Sequence, residues 1–234
     1  MIILFIFSAM VYQSGDTLIF AIEDSIIDKW ILEQDVEYTD SSEIAVVRRA
    51  KISPNSRLFF IHQEKCEGFY ILESTISFYD ADKNLLWEDP GDTNRLISFD
   101  LSKVYDSLLI VVEINRKGKE PLLYTVRDGE KDTIIEIGQW ERVVSYELSP
   151  NYRYLASNTR NVWAKKRWNY IYSVDLELKK DWSYLLPICV SCRKPYPVEV
   201  SVSDSGVVDV MTGKGEHRIF SKEGRLIDVF MKIE

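Results

Sequence analysis

The sequence predicts an all-β fold assembled from repeated units, and three observations carry that prediction. The stretch Ile52-Ser53-Pro54-Asn55-Ser56-Arg57-Leu58 is written again as Leu148-Ser149-Pro150-Asn151-Tyr152-Arg153-Tyr154, with a looser third copy at Val202-Ser203-Asp204-Ser205-Gly206-Val207. Short runs rich in β-branched and aromatic residues, bounded by turn formers, fill the chain, which is how strands read. A late hairpin strand keeps step with the motif in three units, at residues 76–80 (ISFYD), 122–126 (LLYTV) and 170–174 (YIYSV), and comes sooner in a fourth, at 217–220 (HRIF).

The elements follow in order. Ile2 to Tyr12 is an apolar run without a charge. It is too short for a bilayer span, which takes roughly 20 residues, and it fits the apolar region of a secretory signal peptide over residues 1–16. No Lys or Arg precedes the run, and the small-residue cleavage pattern is poor at both Ser8-Ala9-Met10 and Tyr12-Gln13-Ser14; a buried first strand is the other reading. Residues 17–22 and 30–32 read as short strands, and residues 43–48 lead into the first Ser-Pro-Asn, where Pro presets the turn. Residues 57–62 return as a strand. Two extended runs follow within 68–79, broken near Glu73-Ser74-Thr75, then the polar turn Asp80–Asn84 and the return Leu85-Leu86-Trp87.

The next segment has the same order. A strand at 96–99 is followed by Leu101-Ser102-Lys103 in the place of the turn motif, the apolar strand 108–114, a tip at 115–119, and a hairpin through Arg127-Asp128-Gly129-Glu130. Asp-Gly is a strong hairpin signal. The third segment passes through Ser149-Pro150-Asn151 to a polar and aromatic tip at 158–168, and the fourth runs from 198 through Asp204-Ser205-Gly206 to 230.

The motif serines fall at 53, about 102, 149 and 203, so they are about 49, 47 and 54 residues apart. Repeats of that length are what four-stranded blades produce. The units resemble blades of bacterial β-propellers of the broad WD40-like, TolB-like class, whose blades open on apolar-x-Phe-Ser-Pro-Asp-Gly. Here Asn replaces the Asp in two copies, Gly survives only in the third, and no Trp-Asp dipeptide closes a unit. The resemblance implies a β-propeller of about four to five four-stranded antiparallel blades within a single domain, residues 17–234, with units near 44–92, 93–140, 141–190 and 196–232. Residues 17–43 supply part of a fifth unit or pair with the final one. A twisted β-sandwich and a partial propeller are the alternatives.

Composition limits function. With 46% apolar and 12% aromatic residues the chain fills a core, and a net charge of −8 argues against a nucleic-acid or anionic-membrane binder. No later stretch is long and apolar enough for a membrane helix, so no stable insertion is expected once the leader is removed. Cys66 stands alone and Cys189-Val190-Ser191-Cys192 forms a CxxC. With His62 these make a weak Cys3His zinc set, its halves about 120 residues apart; incidental or structural cysteines are the default, and no cofactor is expected.

No nucleophile elbow, zincin helix, Walker loop or dinucleotide fingerprint is present. Carboxylates such as Asp100, Asp106, Asp204 and Asp209 are the candidates for glycosidase-type chemistry, with turn capping as the plain alternative. The distinctive tip is Trp163-Ala164-Lys165-Lys166-Arg167-Trp168-Asn169-Tyr170, three adjacent cations between two Trp. Trp163, Lys165, Lys166, Arg167, Trp168 and Tyr170 are the candidate contacts for an anionic or sugar ligand or a protein partner. The expectation is an exported (periplasmic or extracellular), non-catalytic interaction module. A glycan-acting hydrolase or lyase, or a fragment of a larger propeller protein, are the alternatives.

Overall fold

A computed structural model describes residues 10–14, 16–22, 25–32, 35–38, 43–68, 70–90, 95–115, 122–136, 141–161, 169–186, 198–213 and 215–231. Among them every regular element is a strand. Sheet I contains β1 (Met10–Ser14), β2 (Thr17–Ile22) and β3 (Ser25–Ile31). Sheet II contains β4 (Asp35–Tyr38), β5 (Glu43–Ile52), β6 (Leu58–Glu67), β7 (Tyr70–Asp80) and β8 (Leu85–Asp89). Sheet III runs β10 (Lys103–Val104), β11 (Leu109–Asn115), β12 (Leu122–Arg127) and β13 (Glu130–Glu136), with β9 (Arg95–Ile97) also paired to β11. Sheet IV contains β14 (Glu141–Leu148), β15 (Tyr154–Asn161), β16 (Asn169–Asp175) and β17 (Lys180–Leu186). Sheet V contains β18 (Val198–Val202), β19 (Val208–Thr212), β20 (Glu216–Phe220) and β21 (Leu226–Met231).

Each sheet is antiparallel, its paired strands are consecutive in sequence except that β9 pairs with β11, and none closes on itself. Four-stranded meanders of this kind are the blade unit of a β-propeller, and they differ from the two large facing sheets of a sandwich. The chain divides into two compact units, Met1–Thr133 and Ile134–Glu234.

Within the first unit, sheets I and II bury Val11, Leu18, Phe20, Leu32, Ala50, Phe59 and Ala81 against one another. Phe59 lies edge-on to Phe20 and stacks on Tyr79 at 5.1 Å. Sheets II and III bury Phe60, Ile76 and Phe78 against Ile97, Val104, Leu109, Val111, Tyr124 and Val126. Within the second unit, Tyr154, Ala156, Ile171 and Leu186 of sheet IV meet Val198, Val200, Val202, Val208, Val210 and Phe220 of sheet V. Alternation along β18 (buried, exposed, buried, exposed, buried) sets one face into this seam.

The repeated turn has a side-chain cause. Ser53 Oγ accepts from the Leu58 N–H and donates to Asn55 Oδ1, which in turn accepts from the Arg57 N–H. Ser149 and Asn151 repeat all three bonds with the Tyr154 and Arg153 amides. The corner residue is the fourth of the motif: Ser56, Tyr152 and Gly206 all have φ between 59° and 81°. Two residues therefore hold the left-handed conformation usually left to Gly.

Two sequence expectations need correction. Ser102 does not occupy the turn of sheet III: it is buried, and its Oγ accepts from the Val112 N–H. The turn is Tyr105–Leu108, closed by the Tyr105 N–H on the Leu108 carbonyl, as Ser53 closes on Leu58. Ser74 does not break a strand either. It lies inside β7, buried, bonded to His62 Nε2 at 2.8 Å and accepting from the Ile97 N–H. Of the two expectations for the chain before residue 43, the further unit is the one that fits: β2 and β3 pair with each other and β2 with β1 in a sheet of their own. β1 takes up Met10–Ser14, the last part of the stretch expected as a leader.

Candidate functional site

Three of the four carboxylates suggested for catalysis are bound into the framework, and the fourth, Asp100, is exposed. Asp106 Oδ1 accepts from the Asn55 N–H at 2.9 Å, which ties the turn of sheet II to that of sheet III. Asp204 Oδ1 accepts from the Asn151 N–H at 2.7 Å and its carbonyl from Asn151 Nδ2, the same tie between sheets IV and V. Asp209 holds His217 Nδ1 at 2.9 Å. The carbonyl of exposed Asp100 is one of three, with Phe99 and Ser102, that accept from Lys51 Nζ at 2.6–3.0 Å.

His62 and Cys66 lie four residues apart on the extended β6, about 13 Å along the chain. Two zinc ligands must each sit within about 2.3 Å of the metal. The His62 imidazole is also engaged: Ser74 Oγ is at its Nε2, the Phe99 ring stacks on it at 5.8 Å, and Arg49 approaches Nδ1. Burial, with help from Arg49 and Lys51, lowers its pKa to about 4, so it is a neutral core residue at pH 7. Burial pushes the Cys66 thiol up, away from reactive thiolate. Cys189 and Cys192 lie outside the described residues. Among the described residues no group of three or more His, Cys, Asp or Glu is placed to hold a metal ion.

Of the tip candidates, Trp163, Lys165, Lys166, Arg167 and Trp168 also lie outside the described residues. Tyr170 is on β16, with its ring centroid 6.3 Å from that of Tyr172 on the same face of the strand. Glu141 Oε2 on β14 accepts from Thr159 Oγ1 at 2.7 Å and from Tyr172 Oη at 3.3 Å. Burial and the Glu141 carboxylate push the Tyr172 phenol up to about 12, so it stays a hydrogen-bond donor. Two partly exposed tyrosines and a carboxylate thus stand where the β15–β16 tip leaves sheet IV. Aromatic faces with a directed acceptor can hold sugar rings or apolar side chains.

Sequence reasoning missed a polar cluster in the seam of sheets II and III. Tyr124 Oη donates to Asp89 Oδ2 at 2.8 Å. Lys131 Nζ stands 3.2 Å from Asp89, 3.7 Å from Glu113 Oε1 and 3.7 Å from the Tyr124 ring centroid. Burial, Asp89 and Glu113 raise the Tyr124 pKa, which keeps the phenol protonated. This is a convergence of two carboxylates, but an ammonium sits between them. The partners are up to 42 residues apart in sequence, and no local pattern marks them.

No protein-family model matches the chain, and no curated protein matches it. Solved structures do. A prolyl endopeptidase structure is 10% identical, covering 95% of this chain and 41% of that one, with a TM-score of 0.45. BBS1N in complex with ARL6DN is 12% identical, covering 96% of this chain and 64% of that one, with a TM-score of 0.45. A Dos1 propeller is 10% identical, covering 97% and 69%, with a TM-score of 0.42. The chain thus spans less than half of the endopeptidase chain and under two thirds of BBS1N. At these identities and scores the likeness carries nothing about activity or partner; the propeller-type architecture stands on the sheet topology itself.

Proposed function

We propose that this chain is a non-catalytic propeller-type interaction module, exported from the cytoplasm, that engages a protein or small ligand through the β15–β16 tip of sheet IV and the Tyr170–Tyr172 face at its base. The observation that supports this reading most is the use made of the candidate carboxylates. Asp106 and Asp204 hold turns together, and Asp209 holds His217. A glycoside hydrolase needs two carboxyl groups open to a sugar, about 5–10 Å apart.

A photo-crosslinking residue at Tyr170 tests the partner side. It should capture a partner that the same probe at Glu147, an exposed position on β14, does not. Replacing Lys165, Lys166 and Arg167 with Ala should abolish the capture. Release of reducing ends or unsaturated products from polysaccharides by the purified chain, lost in an Asp89→Asn or Glu113→Gln variant, would overturn the reading in favour of the enzyme.

Export rests on the Ile2–Tyr12 run. Because Val11 is buried and its N–H bonds the Ser56 carbonyl, the cleavage that fits the fold is at Ala9 or before, leaving β1 in place. N-terminal sequencing of chain recovered from a periplasmic or culture fraction tests this; an intact Met1 there sinks the cleavage.

A further inference from the structure

Lys131 of β13 reaches from sheet III to Asp89 at the end of β8 in sheet II, and its surroundings are not those of an ordinary ion pair. Its Nζ stands 3.2 Å from Asp89 Oδ2 and 3.7 Å from Glu113 Oε1 of β11. The Tyr124 ring of β12 lies under the same nitrogen, with its centroid at 3.7 Å, while its Oη donates to Asp89 Oδ2 at 2.8 Å. Tyr124 is fully buried, and the Asp89 and Glu113 side chains are only 18% and 6% accessible. The Lys83–Asp28 pair, which also joins neighbouring sheets, is more open at 30% and 41%. An amine, a carboxyl group, a second carboxylate as proton acceptor and a phenol on the carboxyl oxygen are the parts that amide formation needs.

We infer that Lys131 and Asp89 condense into an isopeptide bond from Nζ to Cγ, which fastens the last strand of sheet III covalently to that of sheet II. Glu113 takes a proton from the ammonium and frees the nitrogen lone pair for attack on Cγ. Tyr124 Oη stays protonated and donates to Oδ2, where negative charge gathers in the tetrahedral intermediate. The other carboxyl oxygen receives the two protons that the nitrogen loses, through Glu113, and departs as water. Ammonium and carboxylate thus give amide and water, with no oxidant, nucleotide or other co-reactant. Burial favours the reaction at its start, because a partly dry seam narrows the advantage of the ionised pair over neutral amine and acid. Holding the two groups together supplies the rest: well-oriented intramolecular reactions reach effective molarities of about 10⁵–10⁸ M. The cross-link is independent of the sheet IV surface proposed above.

Tryptic mapping of the purified full chain, unfolded before digestion, tests it. In the wild type, residues 84–95 and 128–142 should appear as one branched peptide, uncleaved at Lys131 and lighter by one water than its two parts. Fragmentation should place the link between Asp89 and Lys131. Glu113→Gln keeps the size of the side chain and removes the base, so it should lower the linked fraction at least tenfold. Lys131→Arg should abolish the link while keeping the cation, and urea unfolding checks that both variants fold. The wild-type map needs no variant: separate peptides cleaved at Lys131 overturn the proposal. So does a lost water that maps elsewhere, such as a succinimide at Asp128-Gly129, or a link that forms equally well in folded Glu113→Gln.

Discussion

The left-handed corner of the repeated turn allows the same backbone position to be tested in both directions. Ser56, Tyr152 and Gly206 share a positive φ at the fourth motif position. An L-residue there bears about 1–2 kcal/mol of strain, while Gly loses about 0.5–1 kcal/mol more backbone entropy on folding. Ser56→Gly should therefore stabilise by about 0.5–1 kcal/mol. Tyr152 is a poorer test because its side chain is half-buried. Gly206→Ala combines the strain with a steric conflict. A Cβ there would stand 2.8 Å from Tyr154 Cε1 and 2.9 Å from Lys222 Cβ. Tyr154 is buried in the seam of sheets IV and V, so its ring cannot simply swing away. Overpacking costs about 1–3 kcal/mol, and after the entropy gain of Ala the net loss is about 2–3 kcal/mol. The assay is urea unfolding at constant slope. With a slope near 2 kcal/mol/M, the midpoint should rise by about 0.3–0.5 M for Ser56→Gly and fall by about 1–1.5 M for Gly206→Ala. A lowered midpoint for the first or an unmoved one for the second refutes the reasoning.

The remaining predictions concern the seams. His62 has a folded pKa of about 4 against about 6.5 unfolded, so the unfolded chain binds the proton first as pH falls. Its contribution is complete above pH 6.5, falls by about 2 kcal/mol by pH 5 and is lost below pH 4. His62→Gln should remove that part of the pH dependence in urea titrations at pH 7.5 and 5; equal losses in both proteins would count against it. Tyr124→Phe removes the donor to Asp89 while leaving the ring under Lys131, and should lower stability by about 1–2 kcal/mol in the same assay. Asp106→Ala and Asp204→Ala should each lower it by about 0.5–1 kcal/mol, with Asp→Asn recovering part of the loss because an acceptor remains.

The all-β class and the four-stranded units were legible in the sequence because each strand's pattern and each turn's chemistry are local. Ser53-Pro54-Asn55 bonds itself, so it can be recognised without knowing what surrounds it. The placement of the turn at Tyr105–Leu108 was not legible, since Tyr105-Asp106-Ser107 lacks the Ser and Asn of that internal network. What marks the position is Asp106 serving Asn55, 51 residues away. Ser74 misled for the related reason that a polar residue inside a strand looks like a break until its buried partner His62 is known. The Asp89–Tyr124–Lys131–Glu113 cluster draws on two sheets, and the Tyr170–Tyr172–Glu141 face on two strands of one. In both, the partners meet only after strand pairing has brought them together.

The ties between neighbouring turns are directional, and the direction imposes a parity on the chain. At the second motif position, sheets II and IV carry Pro54 and Pro150, while sheets III and V carry Asp106 and Asp204. The amides of Asn55 and Asn151 are the donors and the two aspartates the acceptors. In the loops between the last two strands, Lys83 and Lys179 are left-handed in sheets II and IV, Asp128 and Gly129 in sheet III, and Gly224 in sheet V. Two Ser-Pro-Asn turns placed side by side would have donors and no acceptor. Two aspartate turns would set acceptor against acceptor. The indivisible building block is therefore a couple of unlike sheets. A lengthened or shortened relative, natural or designed, should gain or lose such couples in whole numbers.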